Sequence, residues 1–86
     1  MPQFYFDVSV GNDLICDDEG LQLENLNIAE HKAICAASEI GHNSLPKRRI
    51  SEIAVRVRDQ DGEPVLSVAL SMSIYRKDLA KAGGTG

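Results

Sequence analysis

No stretch of apolar residues approaches the roughly 18 that would read as a membrane span. The chain is therefore not expected to cross a bilayer. Cysteine is sparse: Cys16 and Cys35 stand apart, and neither belongs to a C-x-x-C pair. Two such residues exclude a disulfide scaffold, and reduced thiols in a cytoplasm are the expected state, with a Cys16–Cys35 bridge as the alternative. No export signal is expected, because Met1-Pro2-Gln3 has no basic start and leads directly into a strand-like pattern. Basic residues do not dominate. Nine Lys and Arg stand against 13 Asp and Glu, a net charge of −4, which argues against a general nucleic-acid binder. Tryptophan is absent, and the aromatics are Phe4, Tyr5, Phe6 and Tyr75. They form no Gly-aromatic RNA-binding signature. No G-x-S-x-G elbow, no H-E-x-x-H helix and no glycine-rich loop after a strand is present. The sequence thus points away from an enzyme and calls for no cofactor.

What is present describes one small domain. The chain has 86 residues, 43% of them hydrophobic and 26% charged, a globular balance. A domain this size buries only about 60% of its unfolded surface, so its margin of stability is narrow and association with another copy would help it. Phe4, Phe6, Val8 and Val10 alternate with Tyr5, Asp7 and Ser9, the period of two that marks a half-buried strand. Gly11-Asn12-Asp13 supplies a turn, and Leu14-Ile15-Cys16-Asp17 would fold back as its hairpin partner. Leu21-Gln22-Leu23 continues as an extended piece. From Leu26 to about Ile40 the period becomes helical, with Asn25 or Asn27 as N-cap and Glu30 placed to complete a capping box on Asn27. Leu26, Ala29, Ala33, Ala36, Ala37 and Ile40 share one face, a ridge small enough to sit close to a sheet. Gly41 is expected to end the helix, and Pro46 to prevent its continuation.

Two further strands follow. Ile53, Val55 and Val57 alternate with Ala54, Arg56 and Arg58. Leu66, Val68, Leu70, Met72 and Ile74 alternate with Ser67, Ala69, Ser71, Ser73 and Tyr75. Asp59-Gln60-Asp61-Gly62-Glu63 is the hairpin loop between them. The order β-β-α-β-β predicts a two-layer α+β domain over residues 1–76. In it one helix packs on a four-stranded, mainly antiparallel sheet, and residues 77–86 form a flexible tail. Numbered along the chain, spatial orders 2-1-4-3 and 2-1-3-4 are both compatible. The first is preferred because it centres the two most apolar strands, including the long alternation from Leu66.

The opening Met1-Pro2-x-Phe4-Tyr5-Phe6-Asp7-Val8, then Asp17-Asp18-Glu19-Gly20 with Leu23 and Leu26, then Val55-Arg56-Val57-Arg58-Asp59-x-Asp61-Gly62-x-Pro64-Val65, resembles a family of uncharacterised small bacterial proteins, a domain of unknown function. The resemblance covers about residues 1–76. It implies a small cytoplasmic protein of one domain and carries over no activity, cofactor or catalytic residue. His31, Cys35 and His42 lie outside the family pattern.

Two surfaces are candidate sites. With the helix over Phe4, Phe6, Val8, Val68 and Leu70, the opposite sheet face presents Tyr5, Asp7, Ser9, Arg56, Arg58, Ser67, Ala69, Ser71, Ser73 and Tyr75. Its small side chains suit packing against a second sheet in a homodimer, with Tyr5 and Tyr75 adding apolar area. The alternative on this face is a nucleic-acid accessory protein. Its tyrosines would stack bases, and Arg56, Arg58, Lys47-Arg48-Arg49 and Arg76-Lys77 would meet phosphates. The outer side of the helix shows Ile28 and Cys35, with Ile34 beside them, as a possible protein contact. His31 and Cys35 are also i and i+4, a spacing at which two donors reach one metal ion, and His42 lies almost two turns on. An ordinary solvated helix face accounts for the same residues, so metal binding there stays open. Asp17-Asp18-Glu19 and Asp59-x-Asp61-Gly62 lack calcium-loop spacing and read as turns with solvated charges.

These considerations favour a non-catalytic interaction module. It would be homodimeric or bound to another protein, and would use the open sheet face or an edge strand. Tyr5, Arg56, Arg58, Ser71, Tyr75, Ile28 and Cys35 are its contact residues.

Overall fold

The computed structural model describes residues 1–48, 52–73, 75 and 77. Its elements are β1 (Gln3–Val10), β2 (Asp13–Ile15), β3 (Leu21–Gln22), α1 (Leu26–Arg48), β4 (Glu52–Arg58) and β5 (Pro64–Ser71). All pairings are antiparallel. The sheet order is β2-β1-β4-β5, with β3 joined to β1. The two-layer α+β architecture is as expected, enlarged by the short β3. The expected tail beyond Lys77, and Arg49, Ile74 and Arg76, lie outside the described residues.

Parity places the core. Phe4 and Val10 of β1, Ile53, Val55 and Val57 of β4, and Ala29, Ala33 and Ala37 of α1 are all buried. Phe6, Val8, Leu66, Val68 and Leu70 pack against them from half-buried positions. Each fully buried β-branched side chain of β4 contributes roughly 1.5–3 kcal/mol. Alanine on the facing helix lets the two layers approach.

The preferred strand order is corrected by the register. β4, not β5, is the inner strand: Phe6 faces Val57 and Val8 faces Val55, while Val57 faces Leu66 on the other side. Length of alternation is a poor guide to position. The strand that most needs cover on both flanks is the one with Ile, Val and Val in its inward row, and these are completely buried. The inward row of β5 is only half-buried, which suits an edge. β5 also ends at Ser71, short of the expected 75.

The helix is longer than expected. It spans 23 residues and passes both Gly41 and Pro46. Gly41 serves a close approach instead of a cap. A Cβ there would lie 2.6 Å from Leu70 Cδ2, so the missing side chain lets α1 sit against β5. Beyond it, Leu45 is buried with Val10 and Ile53. That burial favours the additional turn, which outweighs the one ladder bond that Pro46, having no N–H, cannot make. At the start, Asn25 is the N-cap: Ile28 N donates to its Oδ1 at 3.0 Å. Leu26, expected on the inner ridge, is 43% exposed at the start of the helix.

Candidate functional site

β1 has two partners on one edge. β2 pairs with it at Val8, Ser9 and Val10, and β3 pairs at Gln3 and Phe4. Among the described residues no strand pairs with the middle of that edge, and a side chain takes its place. Phe6 N donates to Asp17 Oδ2 at 3.0 Å. The other oxygen, Oδ1, accepts from Glu19 N at 3.0 Å and Gly20 N at 3.2 Å. Asp17 therefore organises its own loop and completes the β1 edge. Read as a solvated turn residue, it is instead a structural acceptor.

Asp7 and Arg58 lock this loop onto the sheet. Arg58 Nε donates to Asp7 Oδ2 at 2.7 Å, and Nη2 donates to Oδ1 at 3.0 Å. The same Nη2 reaches Asp17 O at 2.9 Å. Asp17 N donates back to Asp7 Oδ1 at 2.9 Å. The guanidinium lies 5.0 Å from the Tyr5 ring centroid, within cation–π range. Register explains the meeting. Tyr5 faces Arg58 and Asp7 faces Arg56, so Arg58 crosses diagonally to Asp7, a reach long side chains have on one sheet face.

Electrostatics follow from these contacts. The Arg58 hydrogen bonds hold Asp7 below the usual carboxylate range, against its partial burial, and the Asp17 N–H adds to the effect. Burial pushes Asp17 upward, but the N–H groups of Phe6, Glu19 and Gly20 outweigh it, and the net shift is downward. Arg58 is raised by its bond to Asp7. Every oxygen of both carboxylates already accepts a hydrogen bond. The chemistry of this cluster is that of a clasp.

Gly20 closes the clasp. Its φ is +76°, and a Cβ there would lie 3.0 Å from each of Gln3 Nε2, Phe4 O and Tyr5 Cε2. Gln3 Nε2 also donates to Glu19 O at 2.8 Å. A separate acidic turn is organised by Asp59, whose Oδ1 accepts from Asp61 N and Glu63 N at 2.9 Å each.

The other expected contact residues are dispersed. Arg56 and Ser67 are exposed opposite each other on the open face. Ser71 ends β5 opposite Glu52. Tyr75 is 92% exposed and stands beyond β5, off the sheet face on which it was expected. On the helix, Ile28 is half-buried and Cys35 exposed. Cys35 Sγ is 3.7 Å from His31 Nε2. Among the described residues no group of three or more His, Cys, Asp or Glu side chains converges for a metal. Both cysteines are free and exposed. The side chains of Lys47 and Arg48 lie outside the described set.

The second feature of the sheet is its free edge. β5 is eight residues of sequence PVLSVALS, with no charged side chain. On its outer side it pairs with no strand among the described residues. Ser67, Ala69 and Ser71 are exposed on the open face, next to Ala54 and Arg56 of β4.

The family model of DUF6894, a domain of unknown function, matches residues 3–71. No curated protein and no solved structure matches the chain. No helix among the described residues is long and apolar enough to cross a membrane.

Proposed function

The chain belongs to DUF6894, a domain of unknown function, and from the fold that this family match spans we propose a small, non-catalytic, cytoplasmic module that binds protein through the edge strand of its sheet, as a homo-oligomer or with another chain. One observation carries the reading. β5 is an eight-residue edge strand with no charged side chain. Edge strands of soluble domains are ordinarily kept from pairing by lysine, by inward charges, by shortness or by a covering element. Among the described residues β5 has only Pro64 and a bulge near Arg58, both at one end. The rest is a template for strand addition, the mode in which main-chain bonds give affinity and alternate side chains give selectivity.

Two further observations support the assignment. The polar cluster Asp7-Asp17-Arg58 is consumed in holding the fold, which leaves the edge and the small-residue face for contact. The two exposed free thiols suit a reducing compartment. No cofactor enters this reading. The nucleic-acid alternative has less to draw on, because Arg58 is engaged by Asp7 and the Tyr75 ring is not beside Tyr5 on the sheet.

The test is cross-linking in native cells, with and without Ser67→Glu plus Ala69→Glu. Ser67 faces Arg56, so its carboxylate gains a partner in the folded monomer while charging the edge. A discrete adduct that the double substitution abolishes is the expected result. An adduct indifferent to the substitution, or no adduct at all, overturns the proposal.

A further inference from the structure

We propose that the partner of β5 is β5 of a second copy, paired antiparallel about a two-fold axis at Val68. This inference rests on the reading of β5 as a docking edge and names its occupant.

A strand meeting its own copy antiparallel, about an axis perpendicular to the sheet, must place one residue opposite itself. Only then does every side chain face a partner on its own side of the sheet. With Val68 on the axis, Leu66 faces Leu70 of the second copy, and Ser67 faces Ala69 of the second copy. Val65 faces Ser71, and the eight-residue strands overlap almost completely. The inward pairs are then all Val and Leu, and Ser67 and Ala69 pair small with small on the open face.

The strand is suited to its own copy in three ways. Leu66, Val68 and Leu70 are packed against the core yet only half-buried. A second such row beside them continues the core across the edge and removes that exposure from water. Charge does not oppose the meeting: each chain carries −4, but none of it lies on β5. The area is sufficient for a specific contact. An eight-residue strand runs about 26 Å, and a sheet with one helix layer is roughly 20 Å thick. The joined edges bury on the order of 1,000 Å2 in total, the lower bound for a specific interface. The dimer is accordingly a weak one, with a dissociation constant of order micromolar or above. It joins two four-strand arrays into one continuous sheet with both helices on the same side.

Light scattering of the purified chain over a dilution series tests this directly. The mass is expected to rise from 9.4 kDa towards twice that value with concentration. Ser67→Glu plus Ala69→Glu is expected to weaken the association at least about tenfold, with the circular dichroism spectrum unchanged. A second variant keeps the test independent of any folding defect. Ser67→Cys plus Ala69→Cys, made in a Cys16→Ser and Cys35→Ser background, places thiols opposite each other across the axis. Mild oxidation should convert it to a covalent dimer that reductant reverses. A purified chain that stays monomeric at all concentrations and whose Cys variant does not cross-link overturns self-pairing. A dimer that forms normally with the Glu variant overturns it equally. If the purified chain is monomeric while the cellular adduct still disappears with the Glu variant, self-pairing fails and β5 serves a different protein.

Discussion

Arg58 and Asp7 stand 51 residues apart in the chain and meet in a two-pronged ion pair, Nε to Oδ2 at 2.7 Å and Nη2 to Oδ1 at 3.0 Å. The Asp7 carboxylate is 13% exposed, so its charge depends on that partner. Asp7→Asn removes the charge and leaves Arg58 without its fork. The expected cost is about 1–2 kcal/mol, read as a fall in Tm of roughly 4–16 °C. A double-mutant cycle with Arg58→Met should show strong coupling. Purely additive effects would mean the pair contributes nothing.

Acid should loosen the same region. Asp7 and Asp17 are both held below the ordinary carboxylate value, which is about 3.9 in an unfolded chain. A group with a depressed folded value contributes stability that is complete above the unfolded value and is lost as pH falls through the folded one. Urea midpoints should therefore be flat above about pH 5 and decline below about pH 4. Asp17→Asn should flatten part of that decline. A variant with the wild-type acid limb would show that the Asp17 charge is not a source of it.

Gly20→Ala should be more damaging than an ordinary loop substitution. The φ of +76° is strained for alanine, and the new methyl would meet the Phe4 carbonyl at 3.0 Å. A loss of about 1–2 kcal/mol is expected, with faster amide exchange at Phe6 N, whose bond to Asp17 depends on the loop. Unchanged exchange there would separate the loop from the β1 edge.

Ala33→Leu tests the closeness of the two layers. Ala33 is fully buried beneath the sheet, and three added heavy atoms have no space without moving α1. Overpacking should cost about 1–3 kcal/mol despite leucine's good helix propensity. Chemical denaturation measures it; a neutral result would mean the layers are loosely packed.

The turn residues and the two-layer plan were legible because their signals are local. Asp59 closes its hairpin through neighbours two and four residues away. The ridge of Ala29, Ala33 and Ala37 was visible from spacing alone. The clasp was not visible, although Asp7, Asp17, Gly20 and Arg58 all lie in the segments that carry the family resemblance. With the long strand placed beside the first, Arg58 would have stood two strands from Asp7, and the ion pair could not be drawn. Strand order and ion pair have one cause: β4 lies beside β1, and only that brings Arg58 to Asp7.

Residue parity belongs to the chain itself: alternation decides which side chains of a strand share a face, whatever lies next to it. Neighbourhood does not. That β4 occupies the centre, that β5 is left at the rim, that Gly41 is a point of contact and that Leu45 extends the helix all follow from which apolar rows find cover. Cover is supplied by residues distant in sequence, so only the folded arrangement could assign it.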